Sequence, residues 1–513
     1  MPSTSTNIGH FVSKRALLNP DLEALVDLDT GRRFTFAELN DRVNRTAHLL
    51  IDTGLGSGDR VALLMMNSVE FEESYFAIAK LGATAVPLNW RLVADELAFI
   101  IGDAGAKQII FGSEFADVVA DLRDRGSETS LATFIQVGDD IRPWALDYAA
   151  AHAAASNEEI DVETEVGDLL YIMYTSGTTG LPKGVMHSHE TSLWAILTMD
   201  ATADLHFADR YLVALPMFHV GALTPAVGAC YAGVTQLLMR TFDPVKAWQY
   251  IAAEHCTTGL LVPAMLQFML QTRPPDIDLG RLRWIMSGAS PVPVTLIEAY
   301  AELGIEIHQV YGLTESCGPA CLISPHDALA RAGSTGKEFF FTRVRVVDEH
   351  GNDVPPETPG ELICQGKHVM VGYWNRPEDT AKTIVDGWLR TGDIAIVDKD
   401  GYIYISDRIK DMIISGGENV YPAEIENVLL GHPKIADVAV IGRPSERWGE
   451  TPLAVVVPSD ESLTESEVLA FTEGKLARYK RPTGAVFVDE IPRNPSGKAL
   501  KRLLREQFPD PAP

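Results

Sequence analysis

A chain of 513 residues exceeds what one ordinary hydrophobic core organises, so two or more domains are expected. Its 46 % hydrophobic and 22 % charged residues are those of a folded globular protein. The formal net charge of −27 argues against nucleic acid as a partner and against anchoring to anionic lipid by charge alone.

Met1-Pro2-Ser3-Thr4-Ser5-Thr6 lacks a basic segment followed by an apolar one, so no secretion signal is expected, and the expected location is cytoplasmic. From there helical and strand patterns alternate. Apolar residues recur at helical spacing over 36–53, a short apolar strand follows at 60–65, and a second helix is expected over 71–81. Strands are expected at 83–88, 108–111 and 169–173. This alternation predicts βαβ units, hence an α/β fold of mostly parallel sheets covered by helices, with ligands bound at the carboxyl ends of strands. Between Arg210 and Arg240 there is no charged residue, a length that could span a bilayer. Pro216, Pro225 and His219 interrupt it, so a strand at 211–215, a loop around Met217-Phe218-His219 and a buried helix over 223–232 are expected instead. After about Arg345 short strands at 344–347, 360–364, 394–397 and 402–405 are separated by Asp/Gly turns, which predicts a small antiparallel subdomain at about 340–409. A final α+β unit is expected over 410–513, with helices over 422–430 and 464–476 and strands at 438–442 and 454–458. The charge is uneven across that boundary. From Lys410 on there are 13 Lys/Arg against 16 Asp/Glu, a net of −3, which leaves −24 for the preceding part. Five cysteines, at 230, 256, 317, 321 and 364, form neither a disulfide framework nor a zinc-site spacing, and suit a reducing compartment.

The most informative segment is Tyr174-Thr175-Ser176-Gly177-Thr178-Thr179-Gly180-Leu181-Pro182-Lys183-Gly184, directly after the apolar run Leu169-Leu170-Tyr171-Ile172-Met173. Its glycines let backbone N–H groups approach an anion, its hydroxyls donate, and Lys183 adds a positive charge. The loop therefore suits the phosphates of a nucleotide. It is not the P-loop pattern, because Gly184 follows the lysine where that pattern has Ser or Thr.

Four further constellations share this chemistry. In His308-Gln309-Val310-Tyr311-Gly312-Leu313-Thr314-Glu315, Tyr311 could stack on a base, Thr314 could bond a phosphate oxygen and Glu315 could hold Mg²⁺. Trp388-Leu389-Arg390-Thr391-Gly392-Asp393 ends in a carboxylate that could accept both hydroxyls of a ribose. Ser406-Asp407-Arg408-Ile409-Lys410-Asp411, followed by Ile414-Ser415-Gly416-Gly417-Glu418-Asn419, combines charges with a Gly-Gly turn at the expected domain boundary. Pro492-Arg493-Asn494-Pro495-Ser496-Gly497-Lys498 offers one lysine on a Pro/Gly-bounded loop. Taken singly, each has an ordinary structural explanation as a turn, a surface ion pair or a solvated lysine.

Together, and in this order, the five segments resemble those of the adenylate-forming superfamily of acyl-CoA synthetases, carrier-domain adenylation domains and beetle luciferases. The resemblance runs through nearly the whole chain. It is especially close to bacterial medium- to very-long-chain fatty-acid–CoA ligases at 411–426 and 491–498. It implies two half-reactions: a carboxylic acid and ATP give acyl-AMP and pyrophosphate, then the thiol of coenzyme A displaces AMP. By that resemblance Lys498 contacts the carboxylate and α-phosphate, and Thr175, Ser176, Gly177, Thr178, Thr179, Gly180 and Lys183 hold the β- and γ-phosphates. Thr314 stays with the nucleotide and Glu315 with Mg²⁺. Tyr311 and Gly312 meet the adenine, Asp393 and Arg408 the ribose, and Gly288, Ala289 and Ser290 line the adenine and acyl sites. His219, Val220, Gly221, Gly312, Leu313 and Cys317 form the acyl pocket, with His219 as gate or orienter. The small domain turns about a hinge at Lys410, which brings Gly416 and Gly417 to a pantetheine tunnel, with Tyr479 and Lys480 near the phosphates of CoA. Asp407 and Lys410 depart from the glycine and aspartate of many relatives at these positions.

A small-molecule carboxylic acid is thus the expected partner. The pocket residues suit an alkyl chain, and they also admit an aryl or sterol side-chain acid. A fatty acyl-AMP ligase and a non-catalytic nucleotide-binding protein are the competing readings. The first usually carries an insertion before the small domain, which the chain does not show, and the second has no need of Lys498, Glu315 and Gly417 together. A homodimer and transient peripheral contact with the inner membrane are left open.

Overall fold

The strand–helix alternation of the first three hundred residues produces two large sheets in the computed structural model. Described are residues 7–165, 167–175, 182–290, 292–408, 411–415, 418–445, 448–476, 478–493 and 498–509, apart from the side chains of Ser127, Asp407, Arg408, Glu418, Asn419 and Tyr479. The nine-stranded sheet has the order Lys337–Glu338, Cys321–Leu322, Glu306–Tyr311, Trp284–Ser287, Thr258–Leu260, Arg210–Val213, Thr235–Leu238, Glu23–Asp27, Arg33–Thr35. Its inner strands, from Glu306–Tyr311 to Glu23–Asp27, are parallel, and the outer ones are antiparallel. The eight-stranded sheet has the order Gly372–Tyr373, Lys183–Ser188, Leu169–Thr175, Thr84–Pro87, Arg60–Leu64, Gln108–Gly112, Thr133–Val137, Leu146–Asp147. It is parallel from Leu169–Thr175 onward and antiparallel at the other edge. Parallel pairing is what crossover helices impose, since each returns the chain to the starting edge of the sheet.

One hydrophobic core joins the two sheets. It contains Leu63 and Tyr171 from one, Val213 and Leu238 from the other, and Phe76 and Leu223 from two helices. The first of these helices, Val69–Lys80, is buried at every residue but Glu70. The second, Val220–Ala232, contains Pro225 and is buried from Ala222 to Cys230. The uncharged stretch is therefore strand, helix and strand inside a protein core, and packing on all sides holds the helix despite its proline. No helix among the described residues is long and apolar enough to cross a membrane.

A third, antiparallel sheet comprises Arg343–Val347, Gly360–Gln365, Trp388–Val397, Ile384–Val385 and Ile403–Arg408. One difference from the sequence reading matters for the site. Trp388–Val397 is a single ten-residue strand, where only its last four residues were expected to pair. Gly392 takes φ +70, and the register slips between Glu361 and Ile363 on the neighbouring strand. A bulge thus carries pairing through a Thr-Gly step that reads as a break, and it re-aims Asp393.

The described C-terminal part forms a fourth sheet of Glu418–Val420, Ile413–Ser415, Gly449–Pro458, Ile435–Ser445 and Gly484–Phe487. Helices Pro422–Leu430 and Glu465–Phe471 bury Ile425 and Val468 against Val440 and Val456. The second helix begins at a Thr464/Glu467 capping box, as its pattern predicts, yet stops at Phe471. The turn that follows contains Gly474 in the left-handed region, φ +73.

Candidate active site

The Ser/Thr/Gly segment joins two antiparallel strands, with Thr175, the last residue of one, opposite Lys183, the first of the other. Ser176, Gly177, Thr178, Thr179 and Gly180 lie outside the described residues. Both flanks of the segment are fixed. The Tyr174 hydroxyl donates to Asp103 Oδ2 (2.7 Å), and the Trp374 N–H donates to the Gly184 carbonyl (2.7 Å). The Lys183 ammonium lies 2.9 Å from Asp379 Oδ2 and 5.2 Å from the ring centre of Tyr373.

Two neighbouring parallel strands end beside each other in glycine-bounded turns. After Trp284–Ser287, a Cβ on Gly288 would stand 2.2 Å from the Val310 carbonyl oxygen, so only glycine permits this approach. Ala289 follows at φ +66, an uncommon conformation for a residue with a side chain. After Glu306–Tyr311, a Cβ on Gly312 would stand 1.5 Å from the Gly318 carbonyl oxygen. These contacts bring 288–290 and 311–315 together at the carboxyl ends of their strands, where open parallel sheets bind ligands.

The Tyr311 hydroxyl donates to Asp393 Oδ2 (2.6 Å), and Asp393 is 7 % exposed. Burial, and next to it the Asp393 carboxylate, raise the phenol far above its ordinary pKa, so Tyr311 keeps its proton as a donor. Asp393 also pairs across the ladder with Arg408. The Tyr311 ring, the Asp393 carboxylate and the strand carrying Arg408 are thus held as one unit.

Thr314 and Glu315 form a short 3₁₀ turn, Thr314–Ser316. His187 Nε2 hydrogen-bonds the Thr314 carbonyl (2.7 Å), and the Met370 N–H donates to the Glu315 carbonyl (2.8 Å). The Tyr373 hydroxyl donates to Glu315 Oε1 (2.8 Å). Among the described residues no hydrogen bond is made to Glu315 Oε2, and no three His, Cys, Asp or Glu side chains cluster as a metal cage. One carboxylate with an oxygen to spare fits Mg²⁺, which binds through one or two carboxylates together with substrate phosphates and water.

His219 precedes the helix Val220–Ala232 at its N-cap. Burial first, and Arg91 second, push its pKa down to about 4, so the imidazole is neutral. Its Nε2 has no partner among the described residues. Val220 and Gly221 open the helix, and Leu313 precedes the 3₁₀ turn. The Thr224 hydroxyl donates to the Cys317 carbonyl (3.0 Å). Cys317 is fully buried, with its sulfur 3.2 Å from the Tyr171 hydroxyl. A cavity of about 20 Å³ lies between the helices His189–Asp200 and Val220–Ala232 and is lined by Met199, Asp200, Tyr211, Pro225, Trp284 and Met286 among others, but by none of the residues expected in the acyl pocket.

In the C-terminal part, Lys498 precedes Ala499, which bridges to Arg493, and the Leu500 N–H donates to the Pro492 carbonyl (2.7 Å). Arg493 is held by three bonds to Asp437 (2.7, 2.8 and 3.3 Å). Lys480 is held by both oxygens of Glu424 (2.8 and 2.7 Å). Lys410, Gly416, Gly417 and the side chain of Tyr479 lie outside the described residues. Sequence reasoning missed Tyr373, Asp379, Tyr211 and Trp284. The only local signal was the alternation of Trp284, Met286 and Gly288 along one strand face.

A nucleotide cradle at the ends of parallel strands, with a carboxylate set beside a loop lysine, defines an α/β enzyme of the adenylate-forming kind. The chain belongs to the AMP-binding enzymes, whose family model matches residues 12–374, and the model of the AMP-binding enzyme C-terminal domain matches 424–498. It is 45 % identical to the long-chain-fatty-acid–CoA ligase FadD13 of Mycobacterium tuberculosis (strain ATCC 25618 / H37Rv), over 98 % of both chains. It is 39 % identical to a feruloyl-CoA synthase of Amycolatopsis sp, over 98 % of this chain and 99 % of that one. Among solved structures, ATP-bound MatB from Rhodopseudomonas palustris superposes with a TM-score of 0.90 at 31 % identity, over 99 % of each chain.

Proposed function

We propose that the chain is a fatty-acid–CoA ligase, an ATP-dependent acyl-CoA synthetase working in two half-reactions on one active site. In the first, a carboxylate oxygen attacks the α-phosphorus of ATP, the bond to the β-phosphate oxygen breaks, and acyl-AMP and pyrophosphate form. In the second, the CoA thiol gives up its proton, its sulfur attacks the acyl carbon, and AMP leaves. The first step brings two anions together, so its barrier is largely electrostatic and calls for cations fixed in advance. Lys183 serves the β- and γ-phosphates and Lys498 the carboxylate and α-phosphate. Bound Mg²⁺ would neutralise phosphate charge beside Glu315. Asp393 and Arg408 hold the ribose, Tyr311 the adenine, and a neutral His219 stands where the acyl carbon meets the thiol.

The observation that carries this reading is that Tyr311, which bonds Asp393, and Glu315, which Tyr373 links to Lys183, lie four residues apart at the carboxyl end of one strand. The likeness to FadD13 favours an alkyl acid. The likeness to a feruloyl-CoA synthase favours an aryl acid as the second reading. The remaining proposals are a boundary at about Lys410, rotation of the C-terminal part about that residue, and CoA binding near 416–417 and 479–480.

The test is AMP release, with and without CoA, across fatty acids of graded length, aryl acids and a sterol side-chain acid. CoA-dependent release peaking within the fatty acids is expected. A peak among aryl acids would replace the substrate assignment, and release that never depends on CoA would replace the ligase assignment with an acyl-AMP-forming one.

A further inference from the structure

Tyr373 lies 58 residues beyond Glu315 and nearly two hundred beyond Lys183, yet it touches both. Its position is set by the two-residue strand Gly372–Tyr373, which adds to the edge of the eight-stranded sheet with Gly372 opposite Met186 and Tyr373 opposite Val185. The Tyr373 N–H donates to the Thr380 hydroxyl (2.9 Å), which ties this strand to the helix Pro377–Thr383 carrying Asp379. The side chain is 8 % exposed, so its ring and hydroxyl each have one orientation. The hydroxyl donates to Glu315 Oε1 at 2.8 Å, and one ring face lies 5.2 Å from the Lys183 ammonium.

The two contacts act differently. A carboxylate that binds a metal through one oxygen is better oriented when its other oxygen accepts a hydrogen bond. A ring face attracts an ammonium by its quadrupole, for about 0.5–1 kcal/mol at a partly exposed site. The carboxylate of Asp379, 2.9 Å from the ammonium, supplies the stronger hold on Lys183, so loss of the hydroxyl alone leaves the lysine in place.

The geometry points to Tyr373 as a positioning residue for adenylation, one that aims the Glu315 carboxylate at the divalent cation accompanying ATP while its ring backs the phosphate-binding lysine. This rests on the assignment of Glu315 to the metal. Tyr373→Phe keeps the ring and removes only the hydroxyl. Binding of Mn²⁺ in the presence of ATP, followed by the paramagnetic resonance of free Mn²⁺, is expected to weaken about 10- to 100-fold. Acyl-AMP formation is expected to return towards the wild-type rate as Mg²⁺ is raised, with the KM for ATP at saturating metal unchanged. Tyr373→Leu also removes the ring and is expected to raise that KM at any Mg²⁺ concentration.

Glu315→Gln run beside these variants separates the two layers of the argument. Weaker Mn²⁺ binding in Glu315→Gln with wild-type binding in Tyr373→Phe would overturn the role of Tyr373 alone. Wild-type binding in Glu315→Gln would overturn the metal assignment, and the inference with it. A Tyr373→Phe defect that no Mg²⁺ concentration repairs would also overturn it.

Discussion

In the candidate active site the side chains are bonded to one another across long sequence distances: Tyr311 to Asp393, Glu315 to Tyr373, and Lys183 to Asp379 beside the Tyr373 ring. In the C-terminal part the recorded partners are local. Lys480 pairs with Glu424, Lys501 with Glu426 (2.9 Å) and Arg493 with Asp437, all within the fourth sheet and its helices. The first region resembles a mould held rigid from three sheets. The second is a sheet with its own helices, followed by Lys498. This contrast suits a division of labour in which AMP stays in the mould through both half-reactions while the lysine serves only one.

The largest effect expected from breaking that contrast is at Lys410. Proline fixes φ and removes the N–H, so it resists the rotation proposed at this residue. Lys410→Pro is expected to keep pyrophosphate release and to lower thioester formation from supplied acyl-AMP by roughly 100-fold or more, the scale of a misplaced reacting group. Equal loss in both assays would remove the hinge. Asp393→Asn sharpens the other side of the comparison. Hydrogen bonds to a charged group contribute about 1.5–3 kcal/mol, so an approximately 10- to 100-fold loss of affinity for ATP and for acyl-AMP alike is expected. A defect confined to ATP would contradict a mould used in both steps.

The smallest effect lies in the core beneath the mould and concerns stability. Burial pushes Glu72 up to about 8 despite the bond it accepts from the Gln236 amide, and its Oε2 has no partner among the described residues. The folded chain thus holds a proton that the unfolded chain releases in the ordinary carboxylate range. Stability from this group is complete at low pH and is lost as pH rises from that range through about 8. Thermal melting of Glu72→Gln is expected to show a flatter decline over that interval, and an unchanged slope would count against the assignment.

The same carboxylates show where the sequence was legible and where it was not. Helix Phe36–Asp52 could be read from its apolar spacing and from Thr35 and Glu38, which form a capping box. Helix Val69–Lys80, expected over 71–81, begins two residues earlier and runs through Glu70, Glu72 and Glu73. Glu73 is buried against Arg42 (2.6 and 3.0 Å), and Glu72 against Gln236. Partners so distant in sequence leave no periodic trace. The candidate residues 288–290 and 312–315 were legible because they follow apolar strands in loops bounded by glycine, and backbone approaches as close as those at Gly288 and Gly312 admit nothing larger. Tyr373 and Asp379 escaped because strand addition at a sheet edge, and not spacing, brings them to Lys183. Asp393 was found by its chemistry, while the ten-residue strand that carries it was hidden by the Gly392 bulge.

The division between mould and mobile lysine is tested most directly by measuring the two half-reactions separately in Lys498→Ala. Removing one preorganised donor from a developing anionic centre costs on the order of 100- to 1,000-fold. Acyl-AMP formation from acid and ATP is therefore expected to fall by about that factor, while CoA thioester formation from supplied acyl-AMP stays close to the wild-type rate. Loss of both activities to the same extent would contradict the division.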